Sequence, residues 1–407
     1  MKPGISLRLL SLISCAVLTA AAAGCGTSEK GGSSVPPPGS SGTVATTGET
    51  TTTATSGEST ASTMASTSTT RKKTDPTKTT PVRTTTTARR ATTTAPPAVE
   101  YPSKNKKSSI GFGMYGVAPD GGWTTTFDDF IQSDWCNTFF VGSDEATLTE
   151  ALQKAKTHRS QIFVSVGGTI WRHFGGTAKL IDRWQEELQK IVQIAKDSGA
   201  YEALAGFYMD EPLLGGVTHD DLLKATKYMR EVSGNKRVFI CFALSGIAPE
   251  EWTTETASPP ITPETGRYIT DAAFDVYGSY DKAVWTSRTK KMLDRLGNRS
   301  DVRVWYIPPV MNYGGKSTEQ NSIEFLDGVL ALLKEQKNPG GIMGYSYAVA
   351  LSETDSIGNI GLGDLLKPGM KNGWFKLFDH IQSVGRDICS GKTFGKYPQF
   401  YLPSLCN

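Results

Sequence analysis

From residue 109 onward, short apolar segments alternate with longer segments in which apolar residues recur every three to four positions. The short segments are rich in β-branched and aromatic residues and show little apolar–polar alternation, which is typical of parallel strands covered by helices. They are residues 110–117, 136–142, 161–167, 204–210, 237–244, 273–280, 303–310 and 341–347. The helical segments include 148–156, 180–196, 222–232, 285–296, 323–334 and 374–384. This repeat predicts an α/β fold, a single (β/α)8 TIM barrel over residues 109–407.

The amino terminus has the pattern of an export signal. Lys2 and Arg8 precede the apolar run 9–23, and small residues follow up to Cys25. The run is short for a membrane span and ends like a cleavage site. The sequence Ala22-Ala23-Gly24-Cys25 resembles a bacterial lipobox, which implies that residues 1–25 are a signal peptide and that Cys25 is a lipid anchor. Ordinary secretory cleavage without lipid is the alternative.

Residues 26–108 are rich in Thr, Ser, Gly, Pro and Ala. A segment with so few large apolar side chains cannot offset its conformational entropy by burial, so we predict a disordered linker. The basic runs 71–73 and 89–90 are compatible with contact to an anionic cell-wall polymer or lipid, and solvation without any partner is the alternative. Together with Cys25, the linker predicts a protein on the extracellular face of the cell membrane, or secreted.

Charge and cysteine content limit the partners of the barrel. Residues 109–407 hold 30 Lys and Arg against 35 Asp and Glu, so the overall charge of +3 combines an acidic barrel with a basic linker and signal, and no nucleic-acid partner is expected. Cys136 and Cys241 lie in apolar segments and are predicted to be buried thiols. Cys389 and Cys406 are predicted to form a disulfide in an exported protein. No cysteine pair has the spacing of a zinc site, and no metal or other cofactor is expected.

The fourth strand ends in adjacent carboxylates. Active sites of (β/α)8 barrels lie at the carboxyl ends of the strands. Asp210 and Glu211 finish this strand and Pro212 prevents its continuation. Burial beside another carboxylate favours the acid form, which suits Glu211 as a general acid. The alternative is that Asp210 or Glu211 pairs with an arginine or caps the next helix, although Thr218 is the better cap for that helix.

Further polar and aromatic residues end other strands. Asp275 on strand six is the best second catalytic carboxylate, unless it only hydrogen-bonds a hydroxyl group or a barrel tyrosine. Aromatic rings with polar edges suit the faces and hydroxyl rims of sugars. The predicted substrate-binding residues are Tyr115, Trp171, Tyr208, Tyr277, Tyr306, Asn312 and Tyr345.

Three segments resemble barrels of the glycosidase superfamily. Residues 162–168 resemble the Ser-x-Gly-Gly strand of family 18 glycoside hydrolases, the chitinase-like group, and residues 340–345 are similar to its last strand. Asp210-Glu211-Pro212 is similar to the Asn-Glu-Pro of the large retaining-hydrolase clan, which implies that Glu211 is the acid/base. The spaced aspartates of family 18 and the strand-seven glutamate of the clan are absent. Asp275 as nucleophile, Asp275 as base, and substrate assistance with Asp210 therefore all stay open.

These features predict a lipid-anchored extracellular glycoside hydrolase that cleaves O-glycosidic bonds of a polysaccharide or glycan. A carbohydrate-binding lipoprotein without catalysis is an alternative, favoured by the missing strand-seven acid. A metal-dependent barrel enzyme is a third class, which the four histidines disfavour because they form no closely spaced pair.

Overall fold

The computed structural model describes residues 102–117, 124–174, 176–252, 258–277, 280–313, 317–347, 360–366 and 373–394. Eight parallel strands form one sheet with the hydrogen-bonded order β1-β8-β7-β6-β5-β4-β3-β2. The strands are β1 (Gly111–Met114), β2 (Thr138–Val141), β3 (Gln161–Ser165), β4 (Leu204–Asp210), β5 (Arg237–Phe242), β6 (Asp271–Phe274), β7 (Arg303–Tyr306) and β8 (Pro339–Gly344). The predicted (β/α)8 barrel is confirmed.

Helices follow the strands and cover the outside of the sheet. They are α1 (Thr124–Gln132), α2 (Glu145–Thr157), α3 (Trp184–Asp197), α4 (His219–Val232), α5 (Lys282–Arg295), α6 (Glu319–Glu335) and α7 (Phe375–Cys389). Between β5 and β6 the described residues contain the short helix Leu244–Ile247 and two single 3-10 turns. The expected start of the third helix at Leu180 is wrong, because Thr177–Leu180 pairs with Trp171–Phe174 in an antiparallel hairpin. We call Trp171–Leu180 the rim hairpin.

The side chain of Asn137 joins the first and last strands of the sheet order. Its Oδ1 accepts a hydrogen bond from Phe112 N (2.8 Å), and its Nδ2 donates to Ile110 O (3.0 Å). Asn137 N also donates to Phe112 O (2.9 Å). Asn137 therefore links the strand edges of β1 and β2, which would otherwise leave buried backbone groups unpaired.

The interior at the amino ends of the strands is filled by Trp305. A Cβ atom at Gly111 would lie 2.0 Å from the Trp305 ring, so only glycine fits there. The indole Nε1 donates to Asp271 Oδ1 (2.7 Å), and Arg237 Nε donates to Asp271 Oδ2 (2.7 Å). Arg303 lies 3.9 Å from the same carboxylate. This end of the barrel is therefore a packed core in which Asp271 compensates part of the charge of two arginines.

The chain enters the barrel at that same end. Lys107 N and Ser108 N donate to Cys389 O, at the end of α7 (2.7 and 2.9 Å). Lys106 is buried, and its Nζ donates to Ile131 O (2.7 Å) and Ser160 Oγ (2.8 Å). Burial lowers the pKa of Lys106 to about 8. These contacts fasten the entering segment opposite the carboxyl ends of the strands.

Several sequence predictions concern cysteines and the amino-terminal region. Cys136 and Cys241 are buried free thiols, as predicted. Cys389 is also a buried free thiol, while Cys406 lies outside the described residues, so their pairing stays a prediction. Cys25, the signal peptide and residues 26–101 of the linker lie outside the described residues too. Among the residues that the structure describes, no helix is both long and apolar enough to cross a membrane.

Candidate active site

The carboxyl ends of the strands form one end of the barrel, here called the mouth. Asp210 is the last residue of β4 and pairs with Cys241 on β5, which in turn pairs with Ala273 on β6. Asp275 lies two residues beyond Ala273 and continues toward β7 through a bridge to Ile307. Because side chains alternate along a strand, Asp275 shares the interior face with Ala273. Asp210 and Asp275 therefore flank Cys241 at the mouth.

Glu211 joins them through an unusual backbone conformation. Successive side chains of a regular strand point to opposite faces, so Asp210 and Glu211 would not both face the interior. Glu211 has φ of 39°, a left-handed value that non-glycine residues adopt at a cost in free energy. Its N–H still donates to Cys241 O (2.9 Å), so β4 remains paired with β5 while the side chain is redirected. Backbone strain at this position is typical of functional sites.

Glu211 and Asp275 form a direct carboxyl–carboxyl contact. Glu211 is 6% exposed, and its side chain is in hydrogen-bond contact with Asp275. One carboxyl of the pair must carry a proton, because two carboxylates have no hydrogen to share. Retaining glycosidases keep their carboxyl groups about 5 Å apart, and inverting enzymes about 6.5 to 9.5 Å apart. The two groups are thus partners on one side of the mouth rather than an acid and a nucleophile facing each other.

Asp210, at the end of β4, is the third carboxyl group at the mouth and lies close enough to Asp275 to be affected by its charge. Its Oδ1 accepts a hydrogen bond from Tyr208 OH (2.7 Å), and its carboxylate also interacts with the Cys241 thiol. Burial, together with the negative charge of Asp275, raises the pKa of Asp210 to about 7. The two hydrogen bonds oppose that rise but do not cancel it.

Asp275 is shifted in the same direction. Burial raises its pKa, against the opposing hydrogen bonds of Tyr277 and Glu211. Tyr277 OH donates to Asp275 Oδ2 (2.7 Å). The alternative that Asp275 bonds a barrel tyrosine is therefore correct, but Asp275 contacts Glu211 as well. Burial thus shifts the pKa of both Asp210 and Asp275 toward the acid form relative to free carboxyl groups.

Tyrosine rings line one side of the mouth. Tyr277 stacks between Tyr345 and Tyr313, with ring centroids 5.2 and 5.4 Å away. Tyr115 meets Tyr345 edge to face at 5.4 Å. We call Tyr115, Tyr277, Tyr313 and Tyr345 the tyrosine wall; all four are half-buried. Tyr313 was missed by the sequence reasoning, although its position next to Asn312 after strand seven was a usable signal.

Tyr306 is not at the mouth. It is fully buried, stacks near Trp285 of α5 and bonds Gln336 Nε2 (2.9 Å) at the end of α6. Its neighbour Trp305 takes the interior position, so alternation along β7 turns Tyr306 outward to the helices. The prediction that Tyr306 binds substrate is therefore wrong.

The positions of Trp171 and Asn312 neither support nor contradict the prediction that they contact substrate. Trp171 begins the rim hairpin, but its ring is buried in the main hydrophobic core and its Nε1 has no hydrogen-bond partner among the described residues. A direct contact of Trp171 with substrate would require its exposure. Asn312 lies beside the tyrosine wall; its N donates to Ile360 O (3.0 Å), and its buried Oδ1 has no partner within the described ranges.

The rim hairpin supports the loop that follows Glu211. Ala178 N donates to Gly216 O (3.0 Å), and His173 Nδ1 lies 3.1 Å from Gly215 O. Gly216 has φ of 86°, and a Cβ there would lie 2.4 Å from Gly176 O. The rim hairpin and this loop therefore approach so closely that only glycine fits at position 216. This contact holds the segment just after Glu211 in place.

The alternative of helix capping by Asp210 or Glu211 is not supported. Thr218 Oγ1 accepts from Asp221 N (3.2 Å) and caps α4, as predicted. Within the part of the chain that the structure describes, His, Cys, Asp and Glu side chains form no group of three or more suited to a metal ion.

No protein-family profile and no curated protein sequence matches this chain. Solved structures with a similar fold include a variant of GH5_18 from Bifidobacterium longum in complex with Manb1-4GlcNAc. That match has 11% identity and a TM-score of 0.47, and covers 68% of this chain and 78% of that chain. GH5_18 from Streptomyces cattleya in complex with GlcNAc matches at 10% identity and a TM-score of 0.44, covering 72% and 82%. Pseudomonas stutzeri endoglucanase Cel5A matches at 10% and 0.39, covering 64% and 86%. At these identities and TM-scores the similarity assigns no substrate and no residue role to this chain.

Proposed function

We propose that this protein is a glycoside hydrolase in which Glu211 is the general acid/base. The observation that carries the proposal is the hydrogen-bonded Glu211–Asp275 pair at the mouth, with Asp210 behind it. Three carboxyl groups under a wall of tyrosines combine proton transfer with rings suited to the faces of sugars.

In the reaction, protonated Glu211 gives its proton to the glycosidic oxygen as the bond from that oxygen to the anomeric carbon breaks. The leaving sugar departs as an alcohol. When a sugar substituent forms the new bond at the anomeric carbon, water then replaces it from the face of Glu211, whose carboxylate takes up the proton of that water. When water attacks directly from the opposite face, its proton leaves to solvent and solvent reprotonates Glu211. Asp275 accepts the hydrogen bond of Glu211 in the resting protein and so orients the proton that is transferred.

The attacking group is water or a substituent of the sugar itself. Glu211 and Asp275 are in direct contact and therefore do not face each other across a sugar ring. Direct attack by water inverts the anomeric configuration, whereas attack by a sugar substituent followed by water retains it. Asp275 accordingly acts on Glu211 and not on the anomeric carbon.

The substrate is an extracellular polysaccharide or glycan. The signal-like residues 1–25 with Cys25 support export and lipid anchoring, and the basic runs of the linker support contact with a cell-wall polymer. The acid excess of residues 109–407 is consistent with a carbohydrate partner rather than a nucleic acid.

A carbohydrate-binding protein without turnover is the second candidate. One specific observation favours it: β7 continues as Ile307, Pro308 and Pro309, so no acid stands there. In that case the tyrosine wall would bind glycan, and the carboxyl groups would only hydrogen-bond sugar hydroxyls.

The test is a depolymerisation screen of the full-length chain against neutral, acidic, amino and N-acetylated polysaccharides. New reducing ends and the anomer first formed, followed by proton NMR, are the readouts. Cleavage with a defined anomer supports the hydrolase. Glycan binding without new reducing ends, under conditions that saturate the protein, would leave the binding protein as the function.

A further inference from the structure

Two tyrosine hydroxyls form a chain that ends on Asp210. Tyr208 OH donates to Asp210 Oδ1 (2.7 Å) and is in hydrogen-bond contact with Tyr115 OH. Because the phenol of Tyr208 has a single hydrogen, which it gives to Asp210, it accepts the hydrogen of Tyr115. The order of donation is therefore Tyr115 to Tyr208 to Asp210.

The surroundings of Tyr208 hold its ring in one orientation. Tyr208 is 2% exposed, Phe140 stacks on it at 4.0 Å with an angle of 9° between the planes, and Phe239 meets its edge at 5.4 Å. A ring covered in this way offers no face to a sugar. Tyr208 thus differs from the half-buried Tyr277 and Tyr345, for which the predicted contact with substrate still fits.

We infer that Tyr208, polarised by Tyr115, is a positioning residue that stabilises the ionised form of Asp210, so that the charge of Asp210 helps to retain the catalytic proton on the Glu211–Asp275 pair. This inference rests on the proposed function of Glu211 and specifies how its acid form is maintained. It replaces the predicted role of Tyr208 as a substrate contact.

The physical reason is the coupling of three carboxyl groups. The groups that act on Asp210 are Tyr208 from its own strand, Cys241 from β5 and Asp275 beyond β6. A negative charge on Asp210 disfavours a second negative charge on the neighbouring pair, which therefore holds its proton to higher pH. A donor to the Asp210 carboxylate favours that charge, and a donor that itself accepts a hydrogen bond is strengthened.

The first test is the pH profile of kcat for Tyr208→Phe in the full-length protein. Without the donor, Asp210 holds its own proton to higher pH, and the Glu211–Asp275 pair loses its proton at lower pH. The basic limb should move to lower pH by about one unit, since a hydrogen bond to a charged group is worth roughly one pKa unit or more. Tyr115→Phe should move it by less in the same direction, because Tyr208 still donates.

Tyr306→Phe is the matched control. It removes the same hydroxyl from another buried tyrosine, whose partners Thr289 and Gln336 lie among the helices. Its basic limb should stay in place. If the basic limb of the kcat profile lies at the same pH in wild type, Tyr208→Phe and Tyr306→Phe, the inference is overturned. If Tyr208→Phe does not fold, an unmoved limb in Tyr115→Phe overturns it, and a moved limb supports it.

A second readout does not depend on turnover. Carboxyl-13C NMR titration of aspartate-labelled full-length protein, with Asp210→Asn for assignment, should show Asp210 titrating at higher pH in Tyr208→Phe than in wild type. If the Asp210 titration shifts in this way but no glycan is cleaved, the proposed hydrolase is ruled out and the hydroxyl chain is supported. Cleavage with an unshifted Asp210 would support the hydrolase and overturn the role of Tyr208.

Discussion

Asp271 and Asp275 project from the same interior face of β6 and its continuation, four residues apart, into opposite electrostatic surroundings. Asp271 is bonded by Arg237 and lies 3.9 Å from Arg303. Burial would raise the pKa of Asp271, but the two guanidinium groups hold it below its usual value. The groups that act on Asp275 are Tyr277, Glu211, Cys241 and a backbone N–H, and its pKa is raised because burial outweighs them. One strand and its continuation therefore carry a charge-paired carboxylate at one end and a carboxyl group with a raised pKa at the other.

Replacing Asp271 should strongly destabilise the barrel. Asp271→Asn leaves Arg237 and Arg303 buried without a compensating charge, which costs about 3–5 kcal/mol in unfolding free energy. Urea unfolding at neutral pH measures the loss. The matched control is Asp197→Asn at the exposed end of α3, which should change stability by less than about 0.5 kcal/mol. Equal stability of the two variants would mean that the Arg237–Asp271 contact is not important for folding.

Replacing Asp210 should stabilise the folded protein above neutral pH. Its pKa is raised in the folded protein, so its contribution to stability is complete below the unfolded pKa of about 4 and is lost as the pH rises through about 7. Asp210→Asn keeps an acceptor for Tyr208 but cannot ionise. We expect a melting temperature at least about 2 °C above wild type at pH 8, with a smaller difference at pH 4. Calorimetry at both pH values checks this, and a loss at pH 8 would contradict the assigned burial.

Glu211→Gln should abolish most turnover with little effect on folding. The amide preserves size but cannot give up a proton to a leaving group, so the rate should fall by roughly 10²-fold or more. The melting temperature should stay close to that of wild type. Glu231→Gln is the control, because Glu231 is exposed on α4 and pairs weakly with Lys227 at 3.7 Å. Unchanged hydrolysis by Glu211→Gln, or failure of this variant to fold, would assign Glu211 a structural role.

Cys25→Ser should release the protein from the membrane. A lipidated cysteine carries acyl chains that hold a protein at a bilayer, and serine cannot carry them in thioether linkage. Fractionation of the producing cells should find wild type with membranes and the variant in the medium. Cys15→Ser lies within the apolar run of the signal and is the control that should leave the distribution unchanged. Wild type found wholly in the medium would contradict lipid anchoring.

The fold was predictable because each of its strands is a continuous apolar run that needs no long-range information. The importance of Asp210 and Glu211 followed from their place at a strand end. Their geometry did not, because alternation along a strand would separate the two side chains, and only the φ of 39° at Glu211 brings them together. Likewise, Trp305 and Tyr306 are both apolar aromatic residues, so the sequence does not tell which one faces the interior. Asn137 looked like an ordinary polar residue before β2, since its role exists only when the sheet closes.

The attachment of residues 104–108 opposite the mouth has a consequence for access. Lys106, Lys107 and Ser108 fasten the entering chain beside the ends of α1 and α7. The described chain therefore enters the barrel at the end opposite Asp210, Glu211 and Asp275. A long polymer approaching Glu211 does not have to pass the point of attachment, and neither end of such a polymer is blocked by it. For the proposed hydrolase this means that chains fixed at both ends can enter the mouth without passing residues 104–108.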